Sequence, residues 1–353
     1  MLRQLARLTR PVPVAGAGAL AVGVYADPSG ELVAARESGF EGVACVDDAA
    51  RLLDVLCDLW ARTRDPDVER WARSVLEFVL WMQGEDGRWV NFVYDWSGTR
   101  NESGLTSSTG ENFWHARALS GVSRAWRAFG DERALSAARR GLEHAIARPV
   151  PADVRALHVI TGLRLIDDPG FAEIDVVGAV RRWAGEIAAC RIDGVLMNNP
   201  DEHGEPHLWA HVQEGALADA GRMLGDDGLV DVARTSAQAL WAPIVRAGFD
   251  RPSVTPYDVA SAVFSLDRLV SIEAGAEWAE LARRARAWFD LVDRSGRAVY
   301  DRAAGRVADG VDEGRVSQNS GAEANIVAAE TLPDDAVASV DEAVTLLPTG
   351  SER

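Results

Sequence analysis

Three acids crowd into the ten residues from Gly39 to Asp48, at Glu41, Asp47 and Asp48, just before an apolar-periodic stretch. One aspartate would be enough to cap a helix there, so the surplus calls for another use. Arg51, one turn further on, can orient a carboxylate or bind a carboxylate on a substrate. A purely structural reading fits the same residues, with Asp48 as the N-cap, Asp47 solvated and Glu41 paired with Arg51. Magnesium-dependent diphosphate chemistry, which an aspartate pair can signal, would need further acids where Ala49, Ala50 and Arg51 stand.

Four more clusters carry groups of the same kind. In Gly110-Glu111-Asn112-Phe113-Trp114-His115-Ala116-Arg117, Glu111 supplies a carboxylate, Trp114 a face for a pyranose, and Asn112 and His115 partners for hydroxyls. The plainer reading puts Trp114 in the core and Glu111 beside a cap. Three of the six histidines fall in Asp201 to His211. His207 and His211 are spaced to share a helix face, with Trp209 between them and Glu214 one turn on, which suits sugar binding, acid–base work or a metal pair. Leu208 occupies the glutamate position of the zinc-protease helix motif and no cysteine is near, so no metal is expected. Asp258, after Thr255-Pro256-Tyr257, reads as a helix cap or as an acid at a helix mouth. Glu323 and Asn319 lie among Ser320, Gly321 and Ala322, whose small size lets a ligand or a backbone approach.

Elements that could bring such scattered residues together follow from hydrophobic period. About twelve helical stretches alternate. Asp48 to Arg62 returns through Arg70 to Met82, Glu111 to Phe129 through Ala134 to Ile146, and Asp153 to Leu165 through Val176 to Ala189. His207 to Leu224 is followed by Leu229 to Val245, Tyr257 to Ile272 by Trp278 to Val292, and Ala322 to Leu332 by a tail helix near Asp341. Every second helix opens on a polar cluster, at intervals of roughly 40 to 65 residues. If those helices form the inner ring of a toroid, their N-termini share a mouth, and Asp48, Glu111, His207, Asp258 and Glu323 line one cavity. Short hairpins after glycine turns are expected at Gly87, Gly194 and Gly296.

Composition limits the partners. The 353 residues, 47% of them hydrophobic, suit one large domain, 1–353, with 1–38 as a lead-in. A net charge of -17 disfavours a nucleic-acid groove, which needs a basic field. Cys45, Cys57 and Cys190 have neither the even count nor the spacing of a disulfide framework or a zinc knuckle, so a reducing, cytoplasmic setting fits. Arg3, Arg7 and Arg10 before the apolar run Val12 to Ala26 could mark a secretory leader, but Pro11, Pro13 and three glycines interrupt it, and a retained, packed segment is expected. No stretch is apolar enough to span a bilayer.

The stretches GFEGVACVDDAAR, TGENFWHARAL, HLWAHVQEGAL, YDVASAV and NSGAEANIVAAE resemble the six-hairpin glycosidase superfamily over nearly the whole chain. That resemblance implies an all-α (α/α)6 toroid and, by likeness to unsaturated glucuronyl hydrolases, a catalytic pair at Asp48 (or Asp47) and Glu111. The chain lacks their histidine before the first aspartate and has glutamate at the second position. The expected activity is hydrolysis of an oligosaccharide or uronic-acid sugar, inverting or hydrating, without cofactor. Asp258 and Glu323 are substitute carboxylates, and Arg51, Asn112, Trp114, His115, His207, Trp209, His211 and Asn319 bind sugar. The same toroid hosts sugar 2-epimerases that use paired histidines, so an epimerase, or a carbohydrate-binding protein without turnover, stays open.

Overall fold

The computed structural model describes residues 1–110, 112–201, 204–272 and 276–348. It is predominantly helical, with strands of only two or three residues. Where the sequence reads as one domain, the packing falls into two compact units. The first comprises Met1–Ala147, Tyr300–Asp309 and the chain from Val316 on; the second comprises Arg148–Val299 and Gly310–Arg315.

In the first unit, helix Val46–Thr63 packs against both Phe113–Phe129 and Ala322–Thr331. Each of the three has outer company: Pro66–Trp81, Glu132–Ala147, and the short helices Pro333–Ala338 and Leu2–Leu8. Leu52, Leu53, Leu56 and Leu59 are buried, each worth about 1.5–3 kcal/mol. Gly121 lets Phe113–Phe129 approach closely, because a Cβ there would stand 2.9 Å from the Ala50 carbonyl oxygen. Val46–Thr63 starts one turn earlier than a cap at Asp48 would require. Strand Ala44–Cys45 pairs with Phe92–Val93, and Cys45 is the N-cap, its Sγ accepting the Asp48 N–H at 3.4 Å. Asp48 therefore lies inside the first turn and its carboxylate is released from capping.

The N-terminal segment is packed. Helix Leu2–Leu8 is largely buried, Thr9–Pro11 pairs with Leu20–Val22, and Tyr25–Ala26 pairs with Leu32–Val33. All three cysteines are buried, and none is in a disulfide among the described residues. Among the described residues no helix is long and apolar enough to cross a membrane.

In the second unit, Ala152–Leu165, Gln213–Leu224 and Pro256–Ile272 pack in succession, backed by Val176–Ala189, Asp227–Ala239 and Ala276–Arg286. Three helices differ from their expected bounds. The stretch expected from Trp278 to Val292 is α-helical only over Ala276–Arg286 and tightens into a 3-10 turn at Ala287–Asp290. The stretch expected from Leu229 to Val245 divides at Leu240, continuing as Trp241–Arg246, because the ring of Pro243 would clash with the Ala239 carbonyl of an unbroken helix. The stretch expected from His207 starts only at Gln213. The glycine hairpins form: Arg191–Ile192 pairs with Val195–Leu196 through Asp193 and Gly194, both at positive φ, as a type I′ turn demands. Gly87 and Gly296 turn the chain into single bridges, Gln83 to Trp89 and Val292 to Ala298.

Candidate functional site

Within the first unit, the N-terminal turns of two inner helices converge on one guanidinium. Arg51 Nη2 donates to Asp48 Oδ1 at 2.6 Å and to Glu323 Oε2 at 3.0 Å, with Asp47 Oδ2 at 3.5 Å. Arg117, a turn into Phe113–Phe129, pairs with the same Asp47 oxygen. The Asp48 side chain is only 4% exposed, whereas that of Glu323 is 48% exposed. Burial pushes the Asp48 carboxyl up to about 6; Arg51 opposes this, and the charges of Asp47 and Glu323 add to it. Cys45 Sγ lies 3.4 Å from Asp48 Oδ2. Tyr25 borders the cluster, its hydroxyl donating to Glu37 at 2.5 Å and its acidity suppressed by burial and by neighbouring carboxylates, Asp48 and Glu323 included.

Other residues singled out from the sequence have structural duties here. Glu41 accepts from Thr106 and from the Glu37 N–H, so the expected Glu41–Arg51 pair is replaced by the Arg51 contacts above. Asn112 caps its helix by accepting the His115 N–H at 3.1 Å. Trp114 donates to the Trp89 carbonyl at 3.1 Å. His115 is buried against Trp89 and His144, with Nε2 at 3.1 Å from the Gly141 carbonyl, so it ties two helices together and is closed to a sugar. Asn319 is exposed and accepts the Asp309 N–H through its carbonyl. Glu111 lies outside the described residues, as do Glu202 and His203.

The second unit gathers a different set. His207 is stacked on Trp209, ring centroids 4.0 Å apart and 12° from parallel, and Tyr257 lies 6.5 Å from Trp209. Trp209 is 41% exposed. His207 Nε2 meets the buried Asp153 carboxylate at 3.2 Å and Nδ1 meets the Trp209 carbonyl at 2.9 Å. His211 does not share a helix face with His207. Ala210 adopts φ 55, which turns the chain so that Trp209 points out while His211 points into the core. There His211 Nδ1 meets Asn198 Oδ1 at 2.7 Å and Nε2 meets Glu214 at 3.1 Å. Glu214 also accepts from Ser236 at 2.6 Å and from Trp241 Nε1 at 3.1 Å. Asn198 Nδ2 donates to the His207 carbonyl at 3.0 Å, which fixes the orientation of its amide.

This geometry decides what the two histidines can do. Each ring nitrogen of His207 and of His211 lies within hydrogen-bonding distance of an oxygen, so all four are already engaged within the protein. Nor do His207, His211 and Glu214 converge; among the described residues no group of three or more His, Cys, Asp or Glu is arranged for a metal ion. Asp258 closes a capping box, its Oδ2 accepting from the Thr255 N–H at 2.7 Å and hydroxyl at 3.0 Å while its own N–H donates to Thr255 Oγ1. Sequence reasoning missed Arg117, Asn198 and Asp309. Only Arg117 carried a signal, as a cation one turn into an inner helix.

No protein-family model matches the chain, and no curated protein matches it in sequence. Solved structures do. Cellobiose 2-epimerase from Spirochaeta thermophila DSM 6192 matches with a TM-score of 0.65 over 91% of this chain and 90% of its own, at 12% identity. D-mannose isomerase matches with a TM-score of 0.65, over 94% and 95%, at 10% identity. A family 88 glycosyl hydrolase from Bacteroides vulgatus matches with a TM-score of 0.56, over 82% and 92%, at 12% identity. These likenesses show the fold class to be the all-α (α/α)6 toroid.

Proposed function

We propose that the protein is a carbohydrate-active enzyme that hydrolyses an oligosaccharide or a uronic-acid sugar, with Asp48 transferring the proton. The observation that carries this reading is the buried Asp48 carboxyl, freed from capping and shifted to about 6, where it can both hold and release a proton near neutral pH. Asp48 donates its proton to the leaving oxygen, water adds at the anomeric carbon, and a second carboxylate takes the proton of that water. Asp47 is paired with Arg51 and Arg117. In the second unit, the exposed face of Trp209, stiffened by His207, is suited to stacking on a pyranose.

Two residues compete for the second carboxylate. Asp48 Oδ1 and Glu323 Oε2 are 2.6 and 3.0 Å from one nitrogen, hence about 5.6 Å apart at most, short of the roughly 6.5–9.5 Å that inversion needs. The Asp48–Glu323 pair thus suits hydration, or retention in which Glu323 first attacks the anomeric carbon and water then releases the sugar from it, and direct addition of water with inversion assigns the second carboxylate to Glu111. Product stereochemistry by NMR separates the two.

Epimerisation is the second reading, favoured by the match to cellobiose 2-epimerase over most of both chains. It requires a base next to a carbonyl, and every ring nitrogen of His207 and His211 is already engaged by an oxygen of the protein, with His211 buried. The test is product analysis on uronic-acid and neutral oligosaccharides with the parent, Asp48→Asn and Glu111→Gln. Cleaved sugar from the parent and a loss of roughly 100-fold in Asp48→Asn are expected. Isomerised sugar, or parental turnover in Asp48→Asn, overturns the reading.

A further inference from the structure

Beside the first cluster lies a carboxylate that the proposed chemistry leaves unused. Asp309 accepts the Gly321 N–H at 2.6 Å through Oδ1, and its own N–H donates to the Asn319 carbonyl at 3.1 Å. The two segments are fastened further by Ser320 Oγ donating to the Val307 carbonyl at 2.7 Å and by Asn325 Oδ1 accepting the Val307 N–H at 2.9 Å. On the other side Ala322 N–H donates to the Val24 carbonyl at 2.9 Å, and a Cβ on Gly321 would come within 2.7 Å of that same oxygen, so only glycine fits. Gly321 is the N-cap of helix Ala322–Thr331 and has no side chain to cap with. The oxygen that serves its N–H comes from Asp309, twelve residues back. Glu323 sits two residues beyond, in the first turn, and reaches Arg51. Burial pushes the Asp309 carboxyl up to about 6; the Gly321 N–H opposes the shift and the charge of Glu323 adds to it, so the two acids feel one another.

We propose that Asp309 is a positioning residue: its carboxyl oxygen, bonded to the Gly321 N–H, fixes the turn from Asn319 to Ala322 and thereby holds Glu323 on Arg51 beside Asp48. The inference rests on the reading of Asp48, Arg51 and Glu323 as an acid–base site. Ser320 and Asn325 tie the same turn to Val307, Asn325 also donates to the Gly321 carbonyl at 2.8 Å, and Ala322 donates to Val24. The Asp309 carboxyl is the ionisable group among these ties.

The test is a carboxyl-carbon NMR titration of Asp48 in the full-length parent, in Asp309→Asn and in Asp309→Ala. The asparagine keeps an oxygen for the Gly321 N–H and removes the charge; the alanine removes both. With the turn released in Asp309→Ala, Glu323 leaves Arg51 and its repulsion of Asp48 is lost, so Asp48 should titrate lower by roughly half a unit or more. Asp309→Asn should leave it at the parental value. Parental titration in a folded Asp309→Ala, or an equal shift in both variants, overturns the proposal. Should Asp309→Ala fail to fold, Asp309→Asn alone decides: parental titration supports the oxygen as the working group, and a displaced one refutes it. The readout needs no substrate, so its failure leaves turnover through Asp48 standing, and absence of sugar turnover in the parent leaves the titration intact.

Discussion

Asp48 in the first unit and Glu214 in the second are both buried carboxylates in the first turn of a helix, yet their surroundings drive them in opposite directions. Burial raises the pKa of each. For Glu214, His211 and the hydrogen bonds from His211 and Ser236 more than offset that, and its carboxyl is held below the usual value. Asp48 shares its one guanidinium with Asp47 and Glu323, so burial prevails and its carboxyl rises to about 6. What separates a buried acid held low from one pushed up here is the number of donors each acid has to itself.

The largest effect expected from this comparison is on stability in the second unit. Glu214→Ala strips Ser236, Trp241 and His211 of their shared acceptor in a fully buried place, which should cost roughly 3–5 kcal/mol. Asp48→Asn relieves the burial of a charge while Arg51 keeps its contacts with Asp47 and Glu323, so its cost should stay within about 1 kcal/mol. Urea melts of the two variants at neutral pH measure both. Equal losses would remove the distinction between the two acids.

A somewhat smaller effect lies in the pH dependence of folding. A carboxyl whose folded pKa is raised stabilises the fold fully below its unfolded value, and that contribution is lost as pH climbs through the folded value. For Asp48 the window runs from 3.8 to about 6, and the loss amounts to about 3 kcal/mol. Glu214, held low, has the opposite sign: its contribution is present above the unfolded value and is lost as pH falls. Melts across pH 3 to 8 should therefore show Asp48→Asn flattening the decline between about pH 4 and 6, and Glu214→Gln flattening the acid limb. A single variant that flattened both limbs would contradict the assignment.

The helices were legible because period and caps are local. Val176–Ala189 falls where the sequence places it, and the Ala152–Leu165 and Pro256–Ile272 starts shift by a single residue. The stretch from His207 to Val212 was misread for a reason that is not local. Its spacing suits a helix and Pro206 suits a first turn, but bonds from Asn198 to the His207 carbonyl and to the His211 ring hold it irregular, with Ala210 left-handed. The meeting of Asp48 with Glu323 could be expected from alternating helix mouths, though the guanidinium that joins them reads from the sequence as a partner of Glu41, as orienting a nearby acid or as binding a substrate carboxylate, and not as a bridge to Glu323. Asp309 was invisible: it sits in a loop without period, and its role depends on a bond to a backbone amide.

The smallest effect concerns a third acid at a helix mouth, and it tests whether position alone makes an acid reactive. Asp258 opens an inner helix as Asp48 does, but it closes a capping box with Thr255, whose N–H and hydroxyl both donate to Oδ2. Removing it should cost a cap. Asp258→Ala is expected to lower stability by about 1 kcal/mol, with a smaller loss for Asp258→Asn because the amide oxygen can still accept. Turnover, measured on whichever sugar the parent cleaves, should be unchanged in both. If Asp258→Asn melts like the parent while turnover falls tenfold or more, the carboxylate acts in the chemistry, and the contrast drawn from donor number has to be replaced by one drawn from position at the helix mouth.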